Sequence, residues 1–204
     1  MSNIFTLDIE TKSDESLIEI FKANIKPSGT LKDPKKIEAD IAKKQENYRK
    51  SMSVDQDYCD ILCIGIKPWN EPSMLYNIED MDKWFSEEFT NDSTLVTFNG
   101  KSFDIPIIIK AGIKHKLDLP YDMLKKMTER FRAYNHVDLM HLLSFGDNRN
   151  VKNLDTYLKI YLGKGKNTVG EDFFATATEN EIRQHCLDDL VDTENLFKQF
   201  RFLS

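Results

Sequence analysis

The sequence has few of the features that mark secreted or membrane-spanning proteins. Its 204 residues include only three cysteines, an odd number without the spacing of a zinc knuckle, so we interpret Cys59, Cys63 and Cys186 as buried thiols. No apolar run approaches the roughly 20 residues that cross a bilayer. The first ten residues have no basic start and no signal-like apolar region. The chain is therefore expected to be intracellular, in the cytoplasm.

An excess of positive charge is also absent, since 28 lysines and arginines stand against 34 acids. The formal net charge of −6 argues against non-specific wrapping of duplex nucleic acid, which depends on many contacts between cationic side chains and phosphate. Two stretches are locally basic. Residues 22–50 contain nine lysines or arginines against four acids, and residues 124–132 contain four against one. Such clusters are commonly solvated helix faces, and they can also form a local phosphate-binding patch.

Internal repeats, low-complexity segments and long linkers are absent, and the length suits one domain. Alternation and short apolar runs predict strands at residues 3–11, 60–67, 73–77 and 94–98. Helical spacing predicts helices at residues 14–25, 33–52, 79–89, 102–113, 138–144, 151–162 and 178–200. Meandering strands followed by a strand that alternates with helices are typical of an α/β fold with a mixed sheet.

The first predicted strand carries two acids on one face. Side chains alternate across a strand, so Asp8 and Glu10 point from the same face, roughly 7 Å apart, while apolar residues point from the other. Charges beside a core need water, a basic partner or a metal ion. The alternative is an ordinary strand that runs out into solvent.

A third acid, Asp104, follows the predicted strand at residues 94–98 and the turn Asn99-Gly100. It should therefore lie near the strand ends, where ligands bind in open α/β sheets. The alternative is that Asp104 only caps the helix that begins there.

The last predicted helix carries a histidine and several acids. His185 and Asp189 are four residues apart and share one face, with Cβ atoms about 5–6 Å apart. Asp192 and Asn195 continue near that face. Taken alone, the pattern is also that of an amphipathic helix with an acidic solvent side.

Taken together, these segments resemble the DEDD superfamily of 3′→5′ exonucleases. The segments are Asp8–Thr11, Phe98–Pro106 and His185–Thr193, the last being similar to the family's Tyr-Cys-x-x-Asp-Val-x-x-Thr. The closest similarity is to exonucleases related to the proofreading domain of family B DNA polymerases, many of which are phage-encoded. Residues 136–140 and the charged helix after the first strand also resemble that group.

The resemblance covers nearly the whole chain and implies a ribonuclease H-like fold. In this fold class, α/β, a mixed sheet of about five strands is flanked by helices. A helical insertion, at residues 12–56, follows the first strand within a single exonuclease domain of residues 1–204.

The resemblance also implies a metal-dependent site. Two divalent cations, Mg²⁺ or Mn²⁺, would activate the attacking water and stabilise the leaving 3′-oxygen, and such hard ions prefer carboxylate oxygens. The implied ligands, which are also catalytic, are Asp8, Glu10, Asp104 and Asp189. The residues implied to contact the 3′-terminal nucleotide are Ile9, Thr11, Asn99 and Phe103. Phe103 could stack on a base, and a place in the core would explain it equally well.

His185 departs from the family pattern. The tyrosine subgroup has Tyr four residues before the last Asp, whereas the histidine subgroup has His five residues before it, so here a histidine occupies the tyrosine position. An imidazole can orient or deprotonate the attacking water, and its unperturbed pKa of about 6.5 suits that task. The alternative is a structural histidine.

Asp138 resembles a recurring acid of the family, and a helix N-cap explains it as well.

The expected activity is hydrolysis of phosphodiester bonds at the 3′ end of single-stranded or frayed DNA, or of RNA, with release of nucleoside 5′-monophosphates. No residue indicates a sensor of the 2′-hydroxyl, so DNA and RNA stay open as substrates. The expected partners are single-stranded 3′ ends, with replication or repair proteins as further candidates. The alternative is a weak or inactive ribonuclease H-like module that binds nucleic acid or a replication partner.

Overall fold

The computed structural model describes residues 3–130, 134–166 and 173–203. The chain divides into two compact units. The sheet unit comprises Met1–Glu10 and Ile61–Ser204, and the inserted unit comprises Thr11–Asp60. Whether they act as one exonuclease domain, with the insertion expected at residues 12–56, stays a prediction.

Within the described residues, no helix is both long and apolar enough to cross a membrane.

The described residues form a five-stranded mixed sheet, as expected. Its strands lie in the order β3-β2-β1-β4-β5. Strand β1 is parallel to β4, β4 is parallel to β5, and β2 is antiparallel to β3. The strands are β1 (Ile4–Ser13), β2 (Cys59–Pro68), β3 (Met74–Tyr76), β4 (Thr94–Thr97) and β5 (His136–Asp138). Because β1, β4 and β5 are parallel, the residues that follow them are brought to the same edge of the sheet.

The inserted unit is mainly helical, with helices α1 (Ile18–Ala23), α2 (Pro34–Glu46) and α3 (Tyr48–Ser53). Asp33 caps α2, since its carboxylate accepts a hydrogen bond from the Lys35 amide at 3.0 Å. The single helix expected over residues 33–52 was wrong, because Asn47 interrupts it. The Asn47 side chain donates to the Lys43 carbonyl at 3.1 Å, and this local bond competes with helix continuation.

The sheet unit contains the remaining helices, of which the last is the longest. They are α4 (Met81–Glu87), α5 (Asp104–His115), α6 (Tyr121–Met127), α7 (Leu139–Leu143), α8 (Leu154–Leu162), α9 (Phe173–Thr176) and α10 (Glu179–Phe200). Helix α10 begins where expected. Its N-cap Thr178 and Glu181 form a reciprocal capping box that satisfies two backbone amides.

One buried cluster fixes α10 against the sheet. It joins β4 and β5 to helices α7, α8 and α10, and its members are Val96, Val137, Leu139, Leu154, Tyr157, Leu158, Leu196 and Phe197. Interiors are closely packed, so a helix held by such a cluster has little freedom to slide or rotate. The positions of the polar side chains on α10 are therefore set by this packing.

Helix α10 also lies directly over β2 at Gly65. A Cβ atom at this position would lie 2.7 Å from both Cys186 Sγ and Leu190 Cδ1. No ordinary side chain fits such a gap, so Gly65 permits the close approach of helix and strand. Cys186 is buried here, and its thiol donates to the Asp8 carbonyl at 3.8 Å.

We expect Gly65→Ala to destabilise the protein by about 1–3 kcal/mol, because the added methyl group overpacks this contact. Urea denaturation would measure the change. Gly29→Ala is the matched control, since no atom lies within 4 Å of the methyl group that it adds. Equal shifts in both variants would contradict the tight contact between α10 and β2.

Candidate active site

Five of the predicted site residues lie on three elements of the sheet unit. Asp8 and Glu10 lie on β1, Asp104 is the first residue of α5, and His185 and Asp189 lie on α10. Asp104 follows β4, so the parallel pairing of β1 with β4 brings it to the edge that β1 reaches. The fold therefore brings together acids that are up to 181 positions apart in sequence.

A direct contact joins β1 to α10. Glu10 Oε1 lies 2.9 Å from His185 Nδ1, with only 10% and 11% of the two side chains exposed. The hydrogen bond to Glu10 raises the pKa of His185 above its ordinary value. Burial raises the pKa of Glu10, and the bond to His185 partly opposes that change. The pair is thus a carboxylate and an imidazole that share a proton in a largely buried place.

Burial and neighbouring negative charges both raise the pKa values of Asp8 and Asp104. Burial, and then the negative charges of Asp104, Glu10 and Asp189, hold the pKa of Asp8 well above its usual range. Asp104 is 3% exposed, and burial raises its pKa to about 8, although the nearby backbone amides of Asp104 and Ile9 partly oppose that change. Such destabilisation of the ionised forms is what a cation would relieve.

Asp189 is held by a cation of the chain itself. Its Oδ2 lies 2.5 Å from Lys166 Nζ, and both side chains are largely buried. Its Oδ1 is buried and has no hydrogen-bond partner among the described residues, which is uncommon for a carboxylate oxygen. This oxygen is an acceptor still to be satisfied.

The carboxylates of Asp8, Glu10, Asp104 and Asp189 suit a hard divalent ion, which prefers oxygen ligands. One of these oxygens, Asp189 Oδ1, is buried without a hydrogen-bond partner among the described residues. The ligand arrangement is not preformed. Over residues 3–130, 134–166 and 173–203, no three histidine, cysteine or acidic side chains are arranged so that they could hold a metal ion. Ion binding would therefore require side-chain rearrangement, including at the contact between Lys166 and Asp189.

The predicted substrate-contacting residues differ in accessibility. Ile9 is only 4% exposed, whereas Asn99 and Phe103 are partly exposed. Thr11 belongs to the inserted unit, and its hydroxyl donates to the Ser53 carbonyl at 2.5 Å. The catalytic, metal-binding and substrate-binding roles of the predicted residues stay predictions.

Sequence reasoning missed two neighbours of these residues. Lys166 contacts Asp189, and the ring of Phe173 lies 5.5 Å from that of His185, tilted by 33°. Together with acids and Gln184 of α10, they line a cavity of about 200 Å³. The alternation of glycine and lysine at residues 163–166 is the sequence feature that could have drawn attention to Lys166. No sequence pattern connected Phe173 with His185.

The hydrogen bond between Glu10 and His185 predicts a shifted titration. The pKa of His185 should lie above about 6.5 and fall towards that value in Glu10→Gln, because the neutral amide no longer favours the imidazolium. The stability contributed by the raised pKa of His185 in the wild-type protein should be full below about pH 6.5, as long as Glu10 stays ionised, and be lost as pH rises through the raised pKa. Imidazole NMR shifts would measure this.

His141 on α7 is the internal control for that titration, since burial lowers its pKa and Glu10 is not among the charges that act on it. Its midpoint should be the same in both proteins. A His185 midpoint that is unchanged by Glu10→Gln would contradict the assigned contact.

Comparison with known proteins gives a family and a fold. The model of a family described as "predicted 3′-5′ exonuclease related to the exonuclease domain of PolB" matches residues 78–204, more than half of the chain. No curated protein matches. Among solved structures, a family B DNA polymerase from the hyperthermophilic archaeon Pyrobaculum calidifontis matches 98% of this chain with a TM-score of 0.60 and 13% identity. The chain spans 24% of that polymerase's length.

Proposed function

Because the chain belongs to the family of predicted 3′-5′ exonucleases related to the exonuclease domain of PolB, we propose that it is a metal-dependent 3′→5′ exonuclease. The observation that carries the proposal is the group formed by Asp8, Glu10, Asp104 and Asp189, in which burial and the negative charges of the other three acids raise the pKa of Asp8. Its substrate would be the 3′ end of single-stranded or frayed DNA, with RNA as a second candidate. Its products would be nucleoside 5′-monophosphates.

The four carboxylates would hold two divalent cations, Mg²⁺ or Mn²⁺. When bound, such ions lower the pKa of a water and neutralise charge on the leaving oxygen. Electrostatics favours this assignment, since two unit charges 5 Å apart repel by about 3 kcal/mol at an effective dielectric constant of 20. The raised pKa values of Asp8 and Asp104 support it, because burial and neighbouring negative charges destabilise the ionised carboxylates.

His185 would exchange a proton with the attacking water. Its Nδ1 faces Glu10, so Nε2 is the atom that we assign to this task. Glu10 would keep the ring oriented, and its charge would stabilise the imidazolium after proton transfer. A phenol at this position would reach further, so the geometry of the water need not match that of the tyrosine subgroup.

A second candidate function is a module that binds nucleic acid, or a replication or repair partner, without efficient cleavage. The observation that favours it is Lys166, whose ammonium group already satisfies one oxygen of Asp189. A cation supplied by the chain competes with a metal ion for the same carboxylate. The replacement of tyrosine by His185 points in the same direction.

Degradation of end-labelled single strands with Mg²⁺ or Mn²⁺ separates the two candidates. We expect the wild-type protein to shorten matched DNA or RNA strands from the 3′ end. Asp8→Ala should reduce this rate by about 100-fold or more, because one of the proposed metal ligands is lost.

Asp147→Ala controls for the loss of an aspartate, since Asp147 caps a short 3-10 turn at Asn148–Asn150. It should retain wild-type activity. Equal activity of the wild-type protein and Asp8→Ala would exclude the proposed site. Tight binding of single strands without any cleavage would favour the second candidate.

A further inference from the structure

The turn that precedes Asp104 is held by a buried carboxylate on another strand. Asp138, which ends β5 and is 4% exposed, accepts hydrogen bonds from the Asn99 amide at 3.0 Å and the Lys101 amide at 2.9 Å. Its Oδ1 also accepts from the His141 amide at 3.2 Å and so caps α7. One carboxylate thus serves three backbone amides in two segments. Capping of α7 explains only the last of these bonds.

The backbone of this turn needs such support. Asn99 has a φ of +70°, a left-handed conformation that is uncommon for residues other than glycine. Hydrogen bonds that the amides on both sides of Gly100 donate to one carboxylate favour this conformation over extended ones. Without them, the chain between β4 and α5 would have alternative paths.

Thr97, the last residue of β4, also contacts this turn. Its Oγ1 accepts from the Gly100 amide at 3.1 Å and contacts His136 Nε2 at 2.8 Å. His136 Nδ1 donates to the Met127 carbonyl at 2.9 Å, so Nε2 accepts the hydroxyl proton of Thr97. Burial lowers the pKa of His136 to about 4, which keeps the ring neutral as this arrangement requires. A Cβ on Gly100 would collide with Thr97.

A short series of bonds connects the turn to Asp104. The Phe103 amide donates to the Asn99 carbonyl at 3.0 Å, and the Ile105 amide donates to the Gly100 carbonyl at 3.0 Å. These two amides flank Asp104 directly. The Asp104 carboxylate in turn lies beside the Ile9 amide, between Asp8 and Glu10 on β1.

We propose that Asp138 is a positioning residue, which fixes the turn at Asn99–Lys101 and thereby holds the Asp104 carboxylate against the Ile9 amide of β1. The positioning itself is a statement about this chain's geometry. Only its effect on catalysis rests on the proposed exonuclease function.

Backbone amide exchange tests the proposal in the full chain without substrate or metal. Asp138→Ser keeps a good N-cap for α7, but its side chain is too short to reach Asn99 and Lys101. We expect exchange at the Asn99, Lys101 and Ile9 amides to accelerate about tenfold or more. Asp138→Asn is the milder second variant, because it removes the acceptor of the Lys101 amide and keeps the size of the side chain.

Glu194→Gln is the matched control. Glu194 is also a buried carboxylate, 3% exposed, and it accepts at 2.8 Å from the amide of Asn70, whose φ of +59° is likewise left-handed. This variant should accelerate exchange at Asn70 and leave Ile9 unchanged. It therefore accounts for the general effect of weakening a buried carboxylate that holds a turn.

The exchange rate of the Ile9 amide decides between these outcomes. Faster exchange at Asn99 and Lys101 with unchanged exchange at Ile9, in both Asp138 variants, would overturn the proposal. If the wild-type protein cleaves single strands, both variants should lower kcat and leave KM for the strand within about twofold, since Asp104 acts on the reacting phosphate. Accelerated exchange at Ile9 in a protein without nuclease activity would refute the proposed function and leave the positioning role standing.

Discussion

The structure depends on the accommodation of several carboxylates at one buried edge of a sheet. Like charges in such a place oppose folding unless they are protonated, paired or bound to a cation. The protein uses the first two remedies. Asp8 and Asp104 have raised pKa values, Glu10 contacts His185, and Asp189 contacts Lys166. Residues placed at such a cost in stability are more typical of a functional site than of a structural one.

The remainder of the sheet unit keeps these groups in register. Parallel pairing of β1 with β4 aligns the acids of the first strand with the turn that leads into α5. Close packing of α10 over Gly65 brings Cys186 and its neighbours up to β1. The turn before Asp104 is tied to β5 through Asp138. The carboxylates are therefore positioned by several separate contacts, and no single loop determines their arrangement.

Much of this arrangement was predictable from the sequence, since the signals were local. Alternation placed Asp8 and Glu10 on one strand face, and helical spacing placed His185 and Asp189 on one helix face. The strand β5 was missed, because three residues are too few to show a period. The contact between Lys166 and Asp189, and the support of Asn99 by Asp138, join segments far apart in sequence. Such contacts arise from tertiary packing, which no local pattern encodes.

The central claim is that the carboxylates of β1, α5 and α10 form one cation site, and calorimetric titration with Mn²⁺ tests it most directly. We predict saturable binding at neutral pH with release of protons, because Asp104 has a pKa of about 8 and must lose its proton to act as a ligand. Repeating the titration in buffers of different ionisation enthalpy would measure that release. Asp104→Asn should weaken Mn²⁺ binding and abolish the release of protons. Binding that is absent in the wild-type protein, or identical in Asp104→Asn, would contradict the account.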